Sequence, residues 1–549
     1  METLLKFLHV VFVVAEVLVI FNLIIIVHEL GHFLAARWRG LVVEGFGVWF
    51  GKPIWKKKIN GVVYSLGSIP AGGFVKLPQM APMEAIEGKS EAAQQPLKAI
   101  TAIDKIIVAF AGPLFSFGLA AVFAVIVFAI GRPVGEAEAT TTIGYVMDDS
   151  PAAKAGLKAG DQILEVDGQT VTRWAGMGKD SIVWRIIRSE GDTIPIKVKR
   201  GEEILTKEAT PKKQDSSVFE RKSLRQIEIM PASTPMIAKV APGGPADKAG
   251  LKANDLITEV NGRKLLSILD LDDYAKDHPD ESLTLTVLRG GQSLKIPFSV
   301  RGAKVGGLTQ NGPAQTAGLK IGDIVTAING QEVPNFDWAT AVIRKNRGDT
   351  LALTVLRGDE KLEIKLTPVV PVSGSKDPKI GVLWDRNEGI AWDDMGVFKI
   401  IHPRPVEQLR TGVMSIVDTL GALFSKKSDV KLQHLSGPVM IGRLYYHMFQ
   451  SREGWRMALW FSVVFNVNLA LLNMLPVPVL DGGHITLALI EAVRRKPVNF
   501  KMLEIIQTAC AVLLIGFMIY IAFFDLSDLF GFRSKGEEIR FAKPEAQQR

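Results

Sequence analysis

Cysteine is nearly absent. The single Cys510 among 549 residues excludes an intramolecular disulfide and a cysteine-based zinc knuckle. Lying in an apolar run, it reads as a small packing residue rather than a reactive thiol. Excess charge is scarce too. Against 57 Asp and Glu stand 65 Lys and Arg, a balance of +8 with a pI of about 9.2. That is modest for the length and names no nucleic-acid partner. What is abundant is apolar: 47% of residues are hydrophobic and mean hydropathy is +0.19. Such a chain is not disordered. The mixture fits a few very apolar segments diluted by a large polar portion, with length for roughly three or four domains.

Four apolar segments frame the chain, at about 9–36, 106–130, 458–475 and 503–524. Each is long enough to cross a hydrocarbon core of roughly 30 Å as a helix. Asn466, Asn468 and Asn473 interrupt the third. A secretory signal peptide is a poor reading of the first, since the run is too long and no small-x-small site closes it. Between the first two segments lie Arg37, Arg39, Lys52, Lys56, Lys57, Lys58 and Lys76; between the last two lie Arg494, Arg495, Lys496 and Lys501. The positive-inside rule puts both loops in the cytoplasm, and both termini and the long central portion on the other side.

The central portion repeats itself. Pro151–Asp161 (PAAKAGLKAGD), Pro245–Asp255 (PADKAGLKAND) and Pro313–Asp323 (PAQTAGLKIGD) are followed by QILEVDG, LITEVNG and IVTAING. Each copy predicts a short helix, a Gly turn, a buried strand and an Asp/Asn-Gly hairpin turn, with further strands such as IPIKVKRG, LTLTVLRGG and LALTVLRGD. The pattern resembles bacterial PDZ domains, which bind extended peptides at a sheet edge. Expected boundaries are 136–232, 233–301 and 302–370. A linker at 371–377 follows, then an amphipathic helix at 406–424 that either lies on the membrane or packs on a PDZ-like module.

The first apolar segment carries His28-Glu29-Leu30-Gly31-His32. On a helix, residues i and i+4 share a face, so both imidazoles can reach one zinc ion while Glu29 deprotonates its water. With 8 histidines in the chain, about 0.01 such motifs are expected by chance. Ionisable groups within a membrane segment are functional by default. A third ligand is required. Asp481, in Asn473-Met-Leu-Pro-Val-Pro-Val-Leu-Asp481-Gly-Gly-His484, is the candidate, and His484 is its rival. Pro476 and Pro478 break the helix before it, and such backbone survives at membrane depth only when buried in protein or lining a cavity.

HELGH at 28–32 paired with LDGG at 480–483 resembles the intramembrane metalloproteases of the site-2 protease family. The regulator-of-sigma-E branch fits best, as it inserts PDZ domains between its second and third membrane helices. Gly45-Phe46-Gly47, Pro70–Lys76 (PAGGFVK), Ala111-Gly-Pro113 and Leu435-Ser-Gly-Pro438 extend the match over nearly the whole chain. The resemblance implies Zn2+ held by His28, His32 and Asp481, Glu29 as general base, and substrate-handling asparagines at Asn468 and Asn473. Two departures stand out. There are three repeats where two are usual, and Ser116 replaces an expected Asn.

The expected fold is a polytopic α-helical membrane protein: four membrane helices (1–40, 101–135, 455–498 with the LDG motif, 499–530), a cytoplasmic β-rich loop (41–100), an external α+β array of three PDZ-like domains, a connecting region (371–454) and a polar tail (531–549). The expected activity is hydrolysis of peptide bonds in single-span membrane proteins of the bacterial inner membrane, such as an anti-sigma factor trimmed by a site-1 protease, or in remnant signal peptides. An extended substrate would add to a strand edge within 42–77, at Gly45-Phe46-Gly47. The array would filter substrates by size or take peptide ligands. The competing reading is an inactive membrane-anchored PDZ scaffold. It predicts no requirement for the zinc residues.

Overall fold

The computed structural model describes residues 2–541 except 81–99, 177, 215–219, 243–244, 279–280, 299–301, 359, 374, 386–389, 394, 452, 497, 499 and 531–538. Part of the expected cytoplasmic loop and most of the expected tail therefore lie outside the described residues. Two compact units emerge. One is built from 1–134, 177–179 and 399–529, the other from 135–176, 180–398 and 530–549.

In the first unit, α1 (Glu2–Trp38) and α2 (Ala102–Ile130) cross closely because small residues meet there. A Cβ at Gly31 would lie 2.4 Å from the Ala111 carbonyl oxygen, and one at Gly112 would lie 2.2 Å from the His32 ring. The Ala-Gly-Pro motif thus packs against the HELGH motif. Thr101 caps α2 in a capping box with Asp104, and Arg39 bonds the same carboxylate at 2.7 Å. Between α1 and α2 lie β1 (Gly45–Phe50), β2 (Trp55–Ile59), β3 (Val62–Leu66) and β4 (Ile69–Lys76), in the order β2-β3-β1-β4. Phe33, Ala36, Val62, Val75 and Val108 form the core under this sheet. The Lys-rich β2 was not expected as a strand.

Then come α3 (Pro405–Phe424), α4 (Pro438–Gln450), α5 (Gly454–Asn473), α6 (Asp481–Arg494) and α7 (Phe500–Phe530). Among the described residues, four helices are long and apolar enough to span a membrane: Val10–Trp38, Ala102–Ile130, Gly454–Asn473 and Met502–Leu529. Within the expected 455–498 region the apolar helix ends at Asn473, the chain breaks over 474–480 around Pro476 and Pro478, and the LDG aspartate opens α6. The fully buried residues of α3 are small or polar, with Leu409 and Val413 packed beside them. Gln408 donates to the Ala124 carbonyl at 2.9 Å and Gly412 lies against Val467, while Val406, Val417 and Phe424 remain exposed. In the Leu-Ser-Gly-Pro motif, the buried Asp525 of α7 accepts from the amides of Gly437 and Met440, holding the start of α4.

The second unit contains three repeats with separate cores around Ile163, Ile257 and Val325. Each repeats one internal lock. Arg200, Arg289 and Arg357 fork onto the buried Asp161, Asp255 and Asp323 at 2.6–2.8 Å. Each arginine also donates to the carbonyl of the Gly in the repeated Ala-Gly-Leu, and each aspartate accepts the amide three residues before it. Burial alone would raise the Asp323 carboxyl, but Arg357 and the Lys320 amide outweigh it and hold it below its ordinary value. All three arginines are pushed up by the same bonds.

The expected boundaries 233–301 and 302–370 are corrected. The first repeat pairs 143–146 with 229–231 and closes on itself. In the second, Ile237–Val240 pairs with Ile390–Trp392. In the third, Ala303–Leu308 pairs with Val382–Trp384. The third repeat is therefore inserted inside the second. The expected linker at 371–377 lies within the third, between its hairpin and its closing strand, where Val369 bridges Lys379.

Candidate metal centre

His28 and His32 lie one turn apart on α1, and Asp481 is the first residue of α6, where the helix dipole favours a carboxylate. The break before α6 is held by glycines. A Cβ at Gly482 would meet the Met474 carbonyl oxygen at 2.2 Å, and one at Gly483 the Val477 carbonyl oxygen at 2.1 Å. The LDGG motif thus folds α6 tightly back onto 474–478. The Lys105–Glu491 ion pair, at 2.7 Å, joins α6 to α2.

Three ligand-type atoms converge. His28 Nε2 is 3.3 Å from Asp481 Oδ2, His32 Nε2 is 3.3 Å from Asp481 Oδ1, and the two Nε2 atoms are 3.3 Å apart. Tetrahedral ligands at the N and O distances of zinc are separated by ~3.3 Å, so the donor set fits that ion. The surroundings agree. Asp481 Oδ2 is buried with no hydrogen-bond donor. His32 Nδ1 lies 2.8 Å from the Val108 carbonyl, which can only accept, so Nε2 carries the lone pair. His28 Nδ1 is 2.9 Å from the hydroxyl of the fully buried Ser116.

The three residues line one cleft of about 270 Å³ with Glu29, Phe50, Gly73, Phe74, Asn473 and His484. The convergent cluster among the described residues holds Asp481 and not His484. Asn473 is in the cleft lining, whereas Asn468 is not; its Oδ1 is buried without a partner. Gly45, Phe46 and Gly47 are not brought to the cleft either. They sit in β1, paired with β3 on one side and β4 on the other, so their backbone offers no free edge. A Cβ at Gly47 would strike the Phe74 ring at 2.3 Å, which gives that glycine a packing reason. The edge strand beside Glu29 is β4: a Cβ at Gly73 would come within 3.0 Å of Glu29 Cγ. A bulge between Val48 and Phe50, with Trp49 at φ +69°, accompanies the placement of Phe50 in the cleft, and the Trp49 indole donates to Asn22.

In the sequence Ser116 stands out only as a departure from an expected Asn. Its hydroxyl instead partners a histidine of the triad. The signal was its place, three residues after the Ala-Gly-Pro motif. Phe50 and Phe74 carried no comparable signal.

Comparison with known proteins places the site in context. The chain is 27% identical to "Protease RseP" of Yersinia pestis, over 94% of this chain and 98% of that one. It is 27% identical to "Regulator of sigma E protease" of Haemophilus influenzae, over 91% and 95%. A relative from Neisseria meningitidis, described as a candidate zinc metalloprotease, is 27% identical over 93% and 98%. Among solved structures, the PDZ domain of an SdrC-like protein from Listeria innocua is 28% identical over 15% of this chain and 92% of that one, with a TM-score of 0.14. The model of peptidase family M50 matches residues 16–517. The chain with HELGH and LDGG at one buried centre belongs to peptidase family M50, and it is a metalloprotease of the site-2 type.

Proposed function

We propose that His28, His32 and Asp481 hold Zn2+, that Glu29 is the general base, and that the enzyme cleaves single-span membrane proteins within the bilayer. The observation that carries this reading is the 3.3 Å triangle of donor atoms in one cleft with Glu29. Bound there, zinc supplies Lewis acidity to the scissile carbonyl and the attacking water. Glu29 accepts the proton of that water and returns it to the departing amine.

A membrane helix hides its carbonyls in i to i−4 bonds and must be unwound before attack. Each backbone group left unsatisfied costs several kcal/mol. Edge strand β4 offers replacement partners beside Glu29, and the Asn473 amide, in the same lining, offers more. Strand addition thus moves from the expected Gly45-Phe46-Gly47 to residues 69–76.

The three repeats are read as PDZ-like domains facing the periplasm, with the metal centre toward the cytoplasmic side of the inner membrane. The short basic loops support that sidedness. In this reading the array admits substrates already trimmed by a site-1 protease; deletion of 140–370 would then permit cleavage of an untrimmed substrate. A scaffold with a decayed site is disfavoured by the intact donor triangle. The deciding experiment compares wild type and Glu29→Gln in matched membranes, on a tagged single-span protein lacking its bulky external domain. Cleavage by wild type alone supports the reading, and equal cleavage by both overturns it.

A further inference from the structure

The expected polar tail contains an apolar residue that is not exposed. Phe541 is only 6% accessible. Its ring lies against the backbone of Gly381, where φ is +76° and a Cβ would come within 2.9 Å of Phe541 Cε2. The floor of this site is the third repeat itself: Gly381 and Ile380 carbonyls accept the amides of Thr309 and Ala314, at 2.8 Å each. One residue earlier, Arg540 makes an antiparallel bridge to Ser373. The Val372 amide donates to the Arg540 carbonyl at 2.8 Å, and the Arg540 amide donates to the Ser373 carbonyl at 3.3 Å. Main-chain pairing plus one buried aromatic side chain is the physical pattern of a strand-like peptide docked on a domain.

We infer that Ile539–Phe541 is an intramolecular ligand of the third repeat, bound through the 372–373 backbone and a Phe541 pocket at Gly381. The occupant is the chain's own tail. The assignment is independent of the peptidase reading, because its test reads thiols and not cleavage.

The test uses the full-length chain in membranes, with Cys510→Ala as background and cysteines replacing Ser373 and Arg540. Antiparallel partners have Cα separations of about 4.5–5.5 Å, within disulfide range. Mild oxidation is expected to protect both thiols in most chains from a maleimide-polyethylene glycol reagent, reversibly on reduction, with the protein remaining monomeric on gels. The control pair, Thr354→Cys with Glu363→Cys, joins two directly paired strand residues. Closure of the control with reactive thiols at 373 and 540 overturns the docking, and a disulfide-linked dimer overturns its intramolecular form. Phe541→Ala is expected to slow closure of the 373–540 pair on the order of tenfold, with Phe541→Leu keeping most of the rate. Equal rates in all three would remove Phe541 as the anchor.

Discussion

Two aspartates, one in each unit, have opposite company. Asp323 is 1% exposed and fully partnered: Arg357 forks onto both oxygens and the Lys320 amide adds a third bond. Asp481 meets two imidazoles at 3.3 Å, and its Oδ2 has no donor. Taking a carboxylate out of water is costly unless it is paired and hydrogen-bonded. The first carboxylate is balanced inside its own module and serves architecture. The second has two imidazoles for company and neither a guanidinium nor a backbone amide, a donor set suited to a metal ion. A buried acid with an incomplete partner set, set among histidines, marks chemistry; one with a complete set marks structure.

Substitutions at the two sites should separate these roles. The largest effect is expected from Asp481→Asn: loss of bound zinc, measured by elemental analysis of purified protein, with cleavage abolished. Glu29→Gln should abolish cleavage and keep the metal. Asp323→Asn should leave zinc untouched and destabilise the third repeat, since Arg357 is left facing a neutral amide. Hydrogen exchange of the 303–384 amides in the full chain would read that loss. A smaller effect is expected from Ser116→Ala, about tenfold in zinc affinity, because His28 loses the hydroxyl that orients its ring. Competition with a chelator would measure it, and rescue by Ser116→Thr would separate the hydroxyl from packing.

The smallest effect is the pH response of the lock. The folded Asp323 carboxyl lies below its ordinary value of 3.8. Its contribution is therefore complete above that value and is lost as pH falls from there through the folded value. Exchange protection in the third repeat should hold down to about pH 4 and decline below it. A decline beginning near neutrality would point to some other group.

The composition of the site was legible because metal chemistry restricts which residues serve and at what spacing. HELGH offered two donors and a candidate base at ligand spacing, and the proline-broken LDGG segment offered a third donor that the fold brings to them. The repeats were legible because each uses the same lock, although the arginine half, in VKRG, VLRG and VLRG, was read only as strand. Strand-like runs at 43–50, 62–69 and 72–77 were visible between Gly/Pro turns. WKKKI was not, because three lysines on an exposed strand imitate a basic loop.

What escaped depends on pairing between distant segments. Alternation shows a strand but not its neighbour, so Gly45-Phe46-Gly47 looked accessible and proved to be an inner strand, while the free edge beside Glu29 belongs to β4. Periodicity likewise could not show that 382–384 and 390–392 close two different repeats. The apolar spacing of 406–424 marked a helix and left open what its apolar side meets. The sequence by itself determined the chemical parts: two histidines and a glutamate on one helix face, an aspartate after a broken helix, and three copies of one motif. Tertiary structure decided that three donor atoms meet at 3.3 Å, that Ser116 bonds His28, and that one repeat nests in another. The reason is physical. Local sequence sets backbone preference and side-chain chemistry, whereas pairing and burial are settled by the competition of all segments for the same neighbours.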